Sequence, residues 1–234
     1  MKSVAVLGLG QFGYQVAVGL TQKGFEVVAV DTDAEIVDDI KELVSQAIVI
    51  DSTDEIGMRT TNIDDVDFAI VAIGSNVQSS LLSTALLQRM NINEIYVRVI
   101  NPLQESILRS MGIKHIISIE KEMGIQVANM LSSKGVGMYV AISERHSIME
   151  IKVPSRFVGK TLSSLNMRAI YKVNIVGIKC REAIINDEGE VTYQVRMTEV
   201  PDPDYSLGQD DLLVIAGVDD TLKKFVLLGN KEDV

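Results

Sequence analysis

The chain has 234 residues, 47% of them hydrophobic and 23% charged, with a formal net charge of −10. This composition excludes a disordered protein and leaves length for one large domain or two smaller ones with a buried core. The negative charge, with no run of lysine or arginine, argues against a general attraction to nucleic acid or anionic membranes. The single cysteine, Cys180, excludes a disulfide framework and a cysteine-rich zinc site.

An apolar run, Val4 to Leu7, meets Gly8, Gly10 and Gly13 in the spacing G-x-G-x-x-G; a helix-period stretch follows through Val16, Ala17 and Leu20. After Gly24 a second apolar run, Val27 to Val30, ends at Asp31. Strand, glycine turn, helix, strand and acid in that order suit an adenine nucleotide. Gly8 permits the tight turn, Gly10 lets the backbone approach a phosphate, and Gly13 lets the helix pack on the strand. The helix start offers unpaired N–H groups to an anion, and Asp31, 18 residues past Gly13, is placed to accept from ribose hydroxyls. Thr32 and Asp33 follow in place of an arginine, so a 2′-phosphate would meet negative charge. NADP is disfavoured; NAD, NADH, ATP, ADP and AMP remain.

Thr32 or Asp33 caps the next helix, with Glu35 placed to reach back and Ile36, Val37, Ile40 and Leu43 as its apolar face. Ala47 to Ile50 is a third strand ending at Asp51, level with Asp31 at the carboxyl edge, and Ser52-Thr53-Asp54 starts another helix. Asp67 to Ile73 reads as a strand buried on both faces, followed by Gly74-Ser75-Asn76 and a helix from about Val77 to Met90. Ile95 to Ile100, Leu103 to Met111 and Ile113 to Ile117 complete a six-strand βα rhythm. A helix over Glu120 to Leu131, with Met123, Val127, Met130 and Leu131 as its buried side, precedes a linker near 133 to 137.

Beyond the linker the rhythm stops. Met138 to Ile142, Ser147 to Val153, Val173 to Lys179 and Leu212 to Ala216 read as strands, Leu162 to Arg168 as one short helix, and 184 to 189 as strand and turn. Residues 200 to 205, with two prolines, cannot form the middle of a sheet. Cys180 is expected as a small buried hydrophobe, and His115 and His146 as structural residues. No tyrosine has a lysine four residues on, and no nucleophile with its base can be assembled. There is no signal-peptide pattern, and no uncharged apolar stretch nears the roughly 18 residues of a spanning helix. A soluble, cytoplasmic protein that reaches any membrane process through a partner is expected.

GLGQFG at 8–13, VVAVD at 27–31, DFAIVAIGSN at 67–76, IEKEMG at 119–124 and LGQDDLLVIAG at 207–217 carry a resemblance across nearly the whole chain. The sequence resembles the RCK family, the cytoplasmic regulators of Trk/Ktr potassium uptake. The resemblance implies a doubly wound Rossmann RCK-N domain over residues 1–134, with a crossover helix, and a smaller α+β RCK-C domain of TrkA-C type over 138–230. It also implies a non-enzymatic gating subunit whose homodimers assemble into a ring, an octamer, that docks on a membrane-embedded potassium transporter at the inner membrane face.

By position, the resemblance assigns the nucleotide to Gly8, Gly10, Gly13, Asp31, Asp51, Gly74 and Asn76; their neighbours Gln11, Phe12, Thr32, Ser52, Ala72 and Ile73 are expected in the same site, with Arg98, near the end of the fifth strand, as a phosphate partner. Glu120 falls where relatives hold a divalent or monovalent cation, and Arg168 and Asn174 fall where some bind cyclic di-AMP. Many relatives carry arginine where this chain has Gln11; glutamine brings no charge to a terminal phosphate, so NADH or ADP would compete well with ATP. The competing reading is an NAD-dependent oxidoreductase with a small substrate domain. A redox-sensing transcription factor is opposed by the net charge.

Overall fold

The computed structural model describes residues 2–61, 63–132, 136–185 and 191–229. The chain divides into two compact units, Met1–Glu122 and Met123–Val234. The division falls inside a helix, and residues 133–135 of the expected linker lie outside the described residues.

The first unit is built on β1 (Ser3–Leu7), β2 (Glu26–Asp31), β3 (Gln46–Val49), β4 (Phe68–Val71), β5 (Glu94–Arg98) and β6 (His115–Ile117). They form one parallel sheet in the order β3-β2-β1-β4-β5-β6. The helices between them are α1 (Gln11–Gln22), α2 (Ala34–Ile40), α3 (Glu55–Met58), α4 (Val77–Arg89) and α5 (Pro102–Ser110).

Alternation along β1 explains why both faces are covered. Val4 and Val6 pack with Val27, Ala29, Ala17 and Ile40 on one face, while Ala5 and Leu7 pack with Val71, Leu87 and Leu108 on the other. A strand buried on both sides must be apolar throughout. The order of connection reverses between β1 and β4, so their carboxyl ends splay and leave a crevice there. At the opposite edge Phe25, Phe68, Tyr96 and His115 make a run of ring contacts, with His115 stacked on Tyr96 at 4.3 Å between centroids.

In α2, Asp33 is the cap and accepts from the Glu35 and Ile36 amides. The helix stops at Ile40, so Leu43 lies beyond its end and is 45% exposed instead of completing the apolar face.

Helix α6 (Ile119–Ser132) crosses the division. Its expected buried side is a correction: Met123, Val127, Met130 and Leu131 are all exposed in the single chain. The helical spacing was legible, but no described residue of this chain covers the stripe.

The second unit holds β7 (Val136–Ser143), β8 (His146–Lys152), β9 (Asn174–Ile185), β10 (Val191–Thr198) and β11 (Leu212–Val218) in one antiparallel sheet, ordered β10-β9-β11-β8-β7. Against it pack α7 (Leu162–Leu165), α8 (Met167–Ile170) and α9 (Asp219–Gly229), around Met149, Phe157, Leu165, Leu213, Leu222 and Phe225.

The sequence reading misses β10 and α9, and three further expectations change. The helix expected over Leu162 to Arg168 is broken by Asn166, which adopts φ 41° and ψ 52°, the left-handed region that interrupts a helix. The separate strands expected at 173–179 and 184–185 are one strand, β9, because β10 pairs along it from Thr198↔Ile178 to Val191↔Ile185; the turn expected at 186–189 lies outside the described residues. Cys180 is half-buried on β9, just past Lys179 where the pairing with β11 ends, and its Sγ faces the Arg196 carbonyl of β10 at 3.8 Å instead of entering the core.

Candidate functional site

Strand β1 ends in a turn only glycine makes easily. Gly8 has φ +92°, and its amide donates to the Val30 carbonyl at 2.8 Å. A Cβ at Gly13 would stand 1.8 Å from the Gly8 carbonyl oxygen, so this glycine is required for α1 to lie against the turn. Gly10 differs from both: no atom lies within 4 Å of where its Cβ would be, so its backbone faces open space.

Gly10 also caps α1, and it supplies no side-chain hydrogen bond to the first turn. By contrast Asp33, Asn76 and Asn101 each accept from an amide in the first turn of α2, α4 and α5. The start of α1 therefore keeps free N–H groups and the positive dipole end beside open backbone, the arrangement that favours an anion.

A cleft of about 400 Å³ opens at this carboxyl edge. Gly8 and Gly10 form one wall, Asp31 and Thr32 at the end of β2 another, and Asp51 and Ser52 beyond β3 a third. Ala72, Ile73, Gly74 and Asn76, between β4 and α4, face them, with Arg98 from the end of β5. The chain positions expected from separate strands thus meet in one place. Gln11, Phe12 and Gly13 do not line the cleft; they form the first turn of α1 behind it, where Phe12 lies 5.7 Å from the Arg98 guanidinium carbon. Ile50, Ser75 and Ser79 do line it and were missed. Their signal was adjacency: Ile50 precedes Asp51, and Ser75 and Ser79 flank the Asn76 cap.

The two acids hold different partners. Asp31 accepts from the Leu9 amide at 2.5 Å through Oδ2 and from the Asp33 amide at 3.0 Å through Oδ1, so it ties the glycine turn to the start of α2. Asp51 turns on itself: the Thr53 amide and hydroxyl donate to its Oδ1 at 2.9 and 2.7 Å. Those bonds, the amide first, hold its carboxyl below the ordinary range. Behind it, the Ser52 and Ser83 hydroxyls are 2.7 Å apart and buried.

Glu120, in the first turn of α6, does not line the cleft and reaches it through Arg98, whose Nη2 donates to Glu120 Oε1 at 2.5 Å. That bond chiefly, with one from its own amide, lowers the Glu120 carboxyl below its ordinary value. Among the described residues no group of three or more His, Cys, Asp or Glu side chains gathers to hold a metal ion. One carboxylate already bound to a guanidinium does not fit a cation site by itself, since hard cations take six or more oxygens.

In the second unit Arg168 lines a different cavity, of about 460 Å³, with Asn166, Met167, Val173, Ile175 and Pro203 among its walls. Asn174, expected beside Arg168, is not part of that lining.

Two family models match the chain, the TrkA-N domain over residues 4–119 and the TrkA-C domain over residues 148–228. It is 35% identical to Ktr system potassium uptake protein C of Bacillus subtilis over 224 residues, covering 96% of each chain. It is 33% identical to Ktr system potassium uptake protein A of Vibrio alginolyticus, covering 94% of each. Among solved structures, the GsuK RCK domain aligns with a TM-score of 0.61 at 18% identity, over 97% of this chain and 47% of that one, so this chain spans about half its length. The TrkA-N domain of inner membrane protein ybaL from Escherichia coli aligns with a TM-score of 0.50 at 16% identity, over 56% of this chain and 96% of that one. These structural likenesses bear on the fold.

Proposed function

The chain belongs to the Ktr potassium uptake proteins, built from a TrkA-N and a TrkA-C domain, and from that premise we propose that it is a nucleotide-sensing regulatory subunit of a potassium uptake system. One observation carries the ligand: an uncapped helix start, an open glycine and a strand-end carboxylate share one cleft where the sheet order reverses.

In this reading the phosphates of an adenine nucleotide lie over Gly8 and Gly10, against the first turn of α1 set by Gln11, Phe12 and Gly13. Asp31 accepts from the ribose hydroxyls with lone pairs its two amide bonds leave over, and Thr32, Asp51 and Ser52 border the adenosine. Ala72, Ile73, Gly74 and Asn76 close the opposite side, and Arg98 meets the phosphates. NAD, NADH, ATP, ADP and AMP all satisfy these groups. A cation at Glu120 would be held chiefly by phosphate oxygens.

The domain limits we assign are residues 1–134 for nucleotide binding and 138–230 for the regulatory domain. Cyclic di-AMP in the cavity beside Arg168 belongs to the same proposal, with Asn174 the weaker part of it. Homodimers assembling into an octameric ring on a membrane-embedded transporter subunit complete it, at the cytoplasmic face. No helix among the described residues is long and apolar enough to cross a membrane. A regulatory role is favoured over an NAD-dependent oxidoreductase by the relatives, whose names place them in potassium uptake.

Regulation then needs differential binding: the nucleotide must fit one geometry of the assembly better than another, since equal affinity shifts nothing. Thermal-shift series with the five nucleotides, with and without magnesium or calcium, test the reading. A ligand at 100 times its Kd should stabilise by about 2.7 kcal/mol. No shift with any of them, or an undiminished shift in Asp31→Ala, would sink it.

A further inference from the structure

Among the described residues that line the cleft, Arg98 is the one cationic side chain, and its contacts are unevenly used. Its Nη1 and Cζ abut Gly74, where a Cβ would come within 2.8 and 2.9 Å. Its Nη2 is given to Glu120, at 2.5 Å. Its Nε is buried and has no partner among the described residues. A guanidinium binds an oxyanion best through two parallel N–H bonds, and a single Glu120 oxygen on Nη2 leaves the Nε edge unsatisfied.

The pair is also lopsided in solvent. The Glu120 side chain is 55% exposed and that of Arg98 only 21%. Glu120 keeps water and the positive end of α6 if Arg98 turns away, so release costs the carboxylate little. The main chain under Arg98 is fixed by the buried Gln104, which accepts from the Ile100 amide at 3.0 Å and donates to Ser80 Oγ at 3.1 Å and the Arg98 carbonyl at 3.4 Å. Movement is left to the side chain.

Resting on the nucleotide reading, we propose that Arg98 and Glu120 form a charge filter: Glu120 competes with the ligand's phosphates for the Arg98 guanidinium, making Arg98 the residue that selects nucleoside polyphosphates over nucleosides. Apparent affinity for a ligand that needs Arg98 is reduced by the fraction of Arg98 held on Glu120. A nucleoside, which brings no phosphate, is not subject to that reduction. Selection for charge thus resides in a pair 22 positions apart in sequence rather than in Gln11.

Calorimetric titration in chelator-containing buffer, with adenosine, AMP, ADP and ATP, tests this on the full chain. In the unaltered protein affinity should rise along the series. Glu120→Gln should raise the ATP-to-adenosine affinity ratio about threefold, the worth of a partly exposed pair. Arg98→Gln should bring the ratio towards one, and Arg98→Lys, which keeps charge without the fork, should restore part of it. A ratio unchanged or lowered by Glu120→Gln overturns the filter while leaving nucleotide binding intact. Absence of binding by the unaltered protein overturns the nucleotide reading and the filter with it.

Discussion

Gly10 and Gly13 stand three residues apart in one motif and have opposite roles. At Gly13 an added methyl would run into the Gly8 carbonyl at 1.8 Å and the Ala72 Cβ at 3.0 Å, and backbone cannot yield as a flexible side chain can. Gly13→Ala should therefore cost about 3 kcal/mol, read as a lowered urea midpoint. At Gly10 the φ of −57° suits any residue and the space is open. Gly10→Ala should leave stability within about 0.5 kcal/mol yet weaken phosphate-bearing ligands about tenfold, because the methyl stands where they approach. Asp31 combines both roles, since its carboxylate already holds the Leu9 and Asp33 amides. Loss of affinity in Asp31→Ala is thus not by itself proof of a ribose contact. A cycle with a 2′,3′-dideoxy ligand separates the two: the unaltered protein should discriminate against it and Asp31→Ala should not.

At the scale of elements, Asn166 divides α7 from α8 by sitting in the left-handed region at φ 41°. Asn166→Val should cost about 1–2 kcal/mol in thermal unfolding, and Asn166→Gly should be nearly neutral. The turn before β11 is held by a buried acid: Asp211 accepts from the Tyr205 hydroxyl at 2.9 Å and the Gly208 amide at 2.8 Å. Desolvation first, then the bond to Asp211, raises the Tyr205 phenol to about 12. A folded value above the ordinary 10 means this contribution is complete below pH 10 and lost as pH rises from 10 towards 12. Stability measured across that window should fall, and less so in Tyr205→Phe. What the sequence showed of these elements follows the range of the interaction. The glycine turn, Asp31 and the six βα strands depend on neighbours in sequence or on local periodicity, and all were legible. The break at Asn166, the pairing of β10 along β9 and the Arg98–Glu120 contact are settled by partners distant in sequence or by a backbone state that asparagine permits without requiring.

At the scale of the whole molecule, the helix whose periodicity promised a buried side is the informative failure. Met123, Val127, Met130 and Leu131 follow helical spacing along α6, and Leu131 is 75% exposed in the single chain. An apolar stripe of this kind is costly to leave in water, and in the assembly we propose a second copy covers it. The substitution pair Val127→Glu and Met130→Glu places two charges on the stripe. It should reduce the mass measured by light scattering towards that of one 25.6 kDa chain and remove any dependence of Tm on protein concentration. Lys114→Glu, an exposed change off α6, should do neither. An unchanged mass in the double variant would assign assembly to another surface and leave the cleft reading as it stands, because every cleft wall comes from residues 8 to 98.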